Sequence, residues 1–529
     1  NYDTALNGDF ECCSLTINNT FTLDIKDTDY VVIQNDLTVN GTLEVQNQGS
    51  LVMISDTGVV TNNGTTNVRK MSTLFDLYDY TFWSSPIVSA PISVFSQWQT
   101  NYIFKLSTAN FRDDNVDSHD DNQDAWVFTP QAEIMSPGRG YAAMGKIAQT
   151  FPAQQASVYS GAVNNGVITQ PIALSLDNTK ANDDFNLVGN PYPSAISADA
   201  FITANLDISG TLYFWTHEGD IQVAAINPGP QAYNFSPADF AYYNLVGGTR
   251  AGQLSGNGNS NIPNGFIASG QGFQVDANAA TSVTFNNSMR GIMYTNTNFY
   301  RTTSGQVEKD RLWLNLTNSE GIFSQQLIGF FPNATMGIDR GYDGYYTQTP
   351  TYAAFYSMIE DKPYKIQGRS SFDVNDRVPL GFRSAYEKTY SISIDDIQGV
   401  LRDQNVYIED LQLNVIHDLK ASNYIFSTPA GEFNNRFVLR FTNTTLGTTD
   451  FDTVGNSVVV YTNDGINITS SSEKIKEVTV YDMLGRLIGE VKNGDSTSLK
   501  INNVKPAQAA LIVKVVLENG STVSKKVIY

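Results

Sequence analysis

The chain has 529 residues, 41% of them apolar, enough for several folding units with cores of their own. Its 33 basic and 53 acidic residues leave a net charge of −20, which excludes a nucleic-acid partner that must displace phosphate counterions from a cationic surface. Its only cysteines, Cys12 and Cys13, are adjacent and build no disulfide framework, and no run reaches the ~18 apolar residues of a membrane-spanning helix.

With 27 Tyr and 29 Phe beside 9 Met, the composition favours strands and turns over helices. The fold class expected is all-β and multidomain: a short parallel β-solenoid, then β-sandwich-like domains, then a C-terminal seven-stranded β-sandwich. No signal-peptide pattern opens the chain, which starts at Asn1 in strand-like sequence. The expectation is a mature chain or the C-terminal part of a longer one. The adjacent cysteines read as small residues on opposite faces of a strand.

Over residues 1–74, strand triplets recur between Asn, Asp and Gly corners. Leu15-Thr16-Ile17, Phe21-Thr22-Leu23 and Tyr30-Val31-Val32 map onto Leu37-Thr38-Val39, Leu43-Glu44-Val45 and Leu51-Val52-Met53 at offsets of 22, 22 and 21. Three short strands per period is the pattern of a parallel β-solenoid, read here as a stalk.

Residues 75–292 read as a duplicated β-rich unit. Tyr80-Thr81-Phe82-Trp83-Ser84-Ser85-Pro86 returns as Phe185-Asn186-Leu187-Val188-Gly189-Asn190-Pro191. An aromatic strand comes after each, Tyr102–Lys105 and Leu212–Trp215, and each copy closes on a Gly-x-Gly-aromatic turn at Gly138–Tyr141 and Gly270–Phe273. Strand residues succeed both turns, so the glycines serve backbone positions of φ > 0 rather than a phosphate cradle, which needs a helix.

Residues 293–445 alternate cleanly, as in Arg311–Leu316 and Arg436–Phe441, and predict one antiparallel β-sandwich of about eight strands. Residues 446–456 read as a linker. From Ser457 to Tyr529, seven strand runs are separated by Asn463-Asp464-Gly465, Leu484-Gly485, Asn493-Gly494 and Asn519-Gly520. This tail holds nine basic and seven acidic residues, a net of +2, whereas the remainder holds 24 and 46, a net of −22. The two parts present different surfaces.

The chemistry-bearing residues are sparse. His119, His217 and His417 lie in different predicted units, and no spacing brings them to a Cys or carboxylate as a zinc site or hydrolytic triad needs, so no catalytic residue is assigned. His217, beside Glu218, reads as an edge histidine. The densest acidic run offers Asp113, Asp117, Asp120 and Asp124 as candidate Ca²⁺ ligands, although it lacks the EF-hand Gly and closing Glu, and a solvated loop is the alternative. Asp339 with Asp343 is a weaker candidate of that kind. Trp83, Trp126 and Trp215 could stack on sugar rings, or serve a core.

The tail resembles the C-terminal sorting domains of proteins exported by the type IX secretion system of Bacteroidetes. The landmarks are Val480-Tyr481-Asp482-Met483-Leu484-Gly485-Arg486, the run Leu511–Val515 before Asn519-Gly520, and Lys525-Lys526-Val527-Ile528-Tyr529. The run is similar to the type C variant; the Gly-x-Tyr and Asn-Pro of type A are missing. A looser likeness to regions found upstream of such domains is carried by Asn190–Pro193, Gly341–Gly344, Val378–Gly381 and Phe437–Arg440. The resemblance implies export across the outer membrane to the cell surface or beyond, with the translocon and an outer-membrane shuttle protein as partners, and it implies no chemistry for the passenger. Apart from Ca²⁺ at the acidic run, no cofactor is expected. Asp482, Gly485, Arg486, Lys514, Gly520, Lys525 and Lys526 are the recognition residues it implies. Strands 513–517 and 523–528 are expected as exposed edges. The reading is a non-enzymatic surface protein, an adhesin or part of a gliding apparatus, with a possible surface glycan or protein ligand. The alternative is the carrier region of a carbohydrate-active enzyme whose catalytic module lies upstream.

Overall fold

The computed structural model describes residues 1–113, 120–176, 184–216, 219, 221–223, 232–252, 262–291, 309–346, 352–443, 458–462, 464–470, 473–505, 509–518, 520 and 522–529. It is almost all β, 51% strand against 6% helix, as the composition implies. The chain divides into two compact units, Asn1–Phe441 and Thr442–Tyr529.

The first unit opens with a parallel β-solenoid of about three turns. One face stacks Tyr2–Asp3, Thr22–Ile25, Thr42–Val45 and Thr65–Met71; a second stacks Phe10–Cys12, Tyr30–Ile33 and Ser50–Met53; a third stacks Leu15–Ile17, Leu37–Val39 and Val60–Asn62. The third face has the predicted register, Leu15 opposite Leu37. On the other two the expected alignment is corrected: Leu23 lies opposite Leu43 and Val31 opposite Leu51, an offset of 20 in both cases. Corner Asn and Asp side chains staple successive turns. Asp9 accepts from Tyr30 N–H, Asp27 from Gln48 N–H, Asp36 from Val59 N–H and Asn47 from Met71 N–H, all at 2.7–2.8 Å. The corners thus satisfy N–H groups that the ladders do not reach. Cys12 is half-buried and Cys13 exposed, both free.

The solenoid shares its core with the first copy of the duplicated unit. Leu43, Val45 and Val68 belong to one apolar cluster with Trp83, Phe95, Trp98 and Tyr159, and Thr65–Met71 pairs antiparallel with Ala156–Ser160. Arg290 locks the solenoid to the second copy. Its buried guanidinium donates to Leu51 O, Ser194 Oγ, Asn165 Oδ1 and Asn287 Oδ1 and lies 4.7 Å from the Tyr192 ring centroid.

The duplication is visible as two four-stranded antiparallel sheets. The first contains β1 (Tyr80–Trp83), β2 (Ile103–Leu106), β3 (Trp126–Phe128) and β4 (Tyr141–Met144), in the order β1-β4-β2-β3. The second contains β5 (Phe185–Gly189), β6 (Ile208–Trp215), β7 (Phe240–Tyr243) and β8 (Gly272–Ala277), in the matching order β5-β8-β6-β7. The copies clasp one another reciprocally. Ser84 N–H donates to Gly270 O (2.7 Å) and its counterpart Gly189 N–H donates to Gly138 O (2.9 Å); Trp83 bridges Gln271 as Val188 bridges Arg139. Gly138 and Gly270 adopt φ of +82° and +73°, as the glycine spacing predicts. The second glycine of each turn answers to close approach instead: a Cβ on Gly140 would stand 2.5 Å from Leu187 Cγ, and one on Gly272 2.8 Å from Phe82 Cβ.

Beyond residue 309 one long sheet curls over a single core that includes Leu314, Ile328, Phe355, Phe382 and Phe437. It is not wholly antiparallel as expected, because Phe323–Phe330 pairs parallel with Lys362–Arg369. Its outer side packs on the second copy through Trp313, Leu327 and Ile366 against Tyr213 and Tyr242. Arg340 donates to Ile202 O, Asn205 O and Ile208 O, closing the carbonyl end of the short helix Ala198–Ala204.

The second unit has the seven strands expected of it: β9 (Val458–Thr462), β10 (Ile466–Ser470), β11 (Ile475–Asp482), β12 (Leu487–Ser496), β13 (Ser498–Ile501), β14 (Ala510–Leu517) and β15 (Thr522–Ile528). They form a three-stranded sheet, β9-β10-β13, and a four-stranded sheet, β12-β11-β14-β15. Alternating Val478, Val480, Val513, Val515 and Val523 join Ile466, Ile468 and Ile501 in their own apolar core.

Candidate functional site

The β11–β12 turn of the second unit holds the first group of predicted recognition residues together. Asp482 Oδ1 accepts from Leu484 N–H (2.9 Å) and Arg486 N–H (3.0 Å), and Oδ2 accepts from Arg486 Nε (2.7 Å). Those bonds, led by the Arg486 N–H, hold the Asp482 carboxyl below its ordinary range. Gly485 takes φ of +80°, and its N–H donates to Asp482 O. Asp482, Gly485 and Arg486 therefore build the turn, and what they present outward is Met483 and Leu484, both exposed. The sequence places those two in the landmark run without marking them as recognition residues, although an apolar pair inside a turn signal is itself unusual.

The second group lies on the other side of the same sheet. Strand β15 pairs with β14 alone, so among the described residues its outer edge has no strand partner. Lys526 is exposed opposite Ile512, and Lys525, half-buried, is opposite Val513. The expectation of two edges is corrected for residues 513–517: β14 is central, flanked by β11 and β15, and Lys514 stands exposed in mid-sheet between Thr479 and Ser524. Gly520 takes φ of +86° in the hairpin between β14 and β15, where a Cβ would meet open space.

In the first unit the acidic run is only partly described, and Asp117 lies outside the described residues. Asp113 is buried. Asp120 closes a turn, its carboxylate accepting from Arg112 N–H and Ala125 N–H (3.2 and 2.9 Å). Asp124 is exposed. Asp343 accepts from Asp339 N–H and Gly368 N–H, and Asp339 from Thr335 N–H and Oγ1, so backbone and hydroxyl donors occupy both carboxylates. Among the described residues no three His, Cys, Asp or Glu side chains gather as metal ligands would. His119 and His217 lie outside the described residues, and His417 bonds through Nε2 to Ser422 O (2.8 Å).

The three tryptophans separate. Trp83 is core. Trp215 is half-buried, its ring 6.0 Å from Phe82 and 4.9 Å from Phe240. Trp126 is 40% exposed, and Phe128, which the alternation alone does not single out, is 47% exposed two residues along the same edge strand, β3. Their i, i+2 spacing places both rings on one face of the strand.

The family described as domain of unknown function DUF8693 matches residues 3–441, and the chain belongs to it. A second family, described as domain of unknown function DUF8694, matches residues 446–529. No curated protein matches the chain. The first match ends with the first compact unit, at residue 441, and the second match falls wholly within the second unit.

Proposed function

We propose that this member of the DUF8693 family is a cell-surface or secreted cargo of a type IX secretion system, exported through its folded second unit. The observation that carries the reading is the composition of that unit: a seven-stranded sandwich with its own core, bearing the turn Asp482–Arg486 and the edge strand β15. An edge strand can take an added strand from a receptor by main-chain hydrogen bonds, with Lys525 and Lys526 supplying charge selection. Arg486, exposed and paired with Asp482, stands in the turn at the opposite edge of the same sheet. The first unit is the passenger, an adhesin without catalytic chemistry, and the exposed Trp126–Phe128 pair is the surface on which a glycan would stack.

The test is affinity recovery from outer membranes with the full chain, with K525E/K526E and with a chain ending at Ser521. The full chain is expected to bring down an outer-membrane barrel or translocon component, and the other two to lose it while the first unit keeps its melting temperature. Recovery of no such component by the full chain overturns the export reading.

A further inference from the structure

We propose that the β11–β12 turn end of the second unit is a contact surface for an anionic lipid bilayer. Leu484 is 81% exposed at the tip, with Met483 beside it, where hairpin turns ordinarily carry polar residues. The cross-strand row next to the tip runs Leu487–Tyr481–Ile512–Lys526 over the outer face of the sheet, and Ile528, 69% exposed, lies two residues beyond Lys526 on that face. An apolar patch continuous with a protruding tip marks an interaction surface.

Two further features fit a bilayer rather than a protein groove. The turn satisfies its own backbone: the N–H groups of Leu484, Gly485 and Arg486 all bond to Asp482, and Asp482 N–H bonds to Arg486 O. Such a tip enters a poorly hydrated headgroup layer without stranding those donors, and it offers a protein partner few of them to read. The net charge around it is cationic. Arg486 stands at the tip with its charge paired to Asp482, Lys526 ends the apolar row, and Lys514 stands one row further along. Of the nearby acids, Asp482 is paired with Arg486, Glu490 stands in the same row as Lys514 and is paired with Lys492, and Glu477 stands one row further from the turn. An apolar tip and face bordered by lysines is the arrangement of interfacial membrane contacts.

The experiment is flotation of the full chain with vesicles of phosphatidylglycerol and phosphatidylcholine, against phosphatidylcholine alone. The chain is expected to float with the anionic vesicles and to be released by high salt. M483S/L484S should lower the bound fraction about tenfold, and K526E several-fold, both with an unchanged melting temperature. Failure of the unaltered chain to float with anionic vesicles overturns the proposal, as does flotation that neither variant reduces.

Discussion

Lys365 and Lys70 are single cations enclosed by the first unit, and each couples folding to pH. Burial lowers both ammonium groups from 10.5 to about 7; Lys365 lies 5.4 Å from the Tyr346 ring, and Lys70 donates to Asn47 O. A folded-state value below the unfolded one means that the unfolded chain binds the extra proton across the interval between them. Stability of the first unit should therefore rise with pH from about 7 towards 10, and be lost as pH falls through 7. Urea midpoints measured across that range would show the slope, and K365M should flatten it and raise the midpoint at pH 7. Arg290 makes the opposite case, a buried cation surrounded by acceptors. R290A leaves Leu51 O and the side-chain acceptors of Asn165 and Asn287 without this donor and should cost about 3 kcal/mol in chemical denaturation.

At the scale of elements, the reciprocal turns make a sharper prediction. G272A drives a methyl group against the Phe82 backbone and should destabilise the first unit by about 2 kcal/mol, as overpacking does, whereas G485A meets no neighbour and costs only its positive φ, about 1 kcal/mol. Equilibrium unfolding of each variant separates the two. These turns, the duplication and the seven tail strands were legible because glycine placement and period-two alternation are local signals. The solenoid registers were less so. The triplets announce the strands, but corner length sets the pairing, and the step from one strand to the next on a face varies from 20 to 23 residues. Strand order was hidden for the same reason: nothing local in Leu511–Leu517 tells a central strand from an edge, so Lys514 reads as an edge lysine and stands in mid-sheet. Phe128 shows the complementary gap, since alternation gives the face a ring occupies but not whether another element covers it.

For the whole molecule, two compact units with separate cores predict separable unfolding. Calorimetry of the full chain should resolve two transitions, G485A lowering one and R290A the other. A single transition shifted by both substitutions would contradict that independence. The solenoid has no transition of its own in this scheme, because its apolar stack runs on into Trp83, Phe95 and Tyr159 and Arg290 ties its third turn to the second copy. The segment that resembles a stalk in sequence is in the fold one wall of a larger body.

The crossed hydrogen bonds between the copies also bear on how the gene can change. Each half supplies the glycine turn on which the other half's first strand leans, so a drift in the spacing of one turn is felt in the other half of the repeat. Compensating changes should therefore arise in pairs, Ser84 with Gly270 and Gly189 with Gly138. A fragment that keeps only one half inherits a strand end and a turn that have each lost their counterpart. Dissection of this protein belongs at residue 441, not between the repeats.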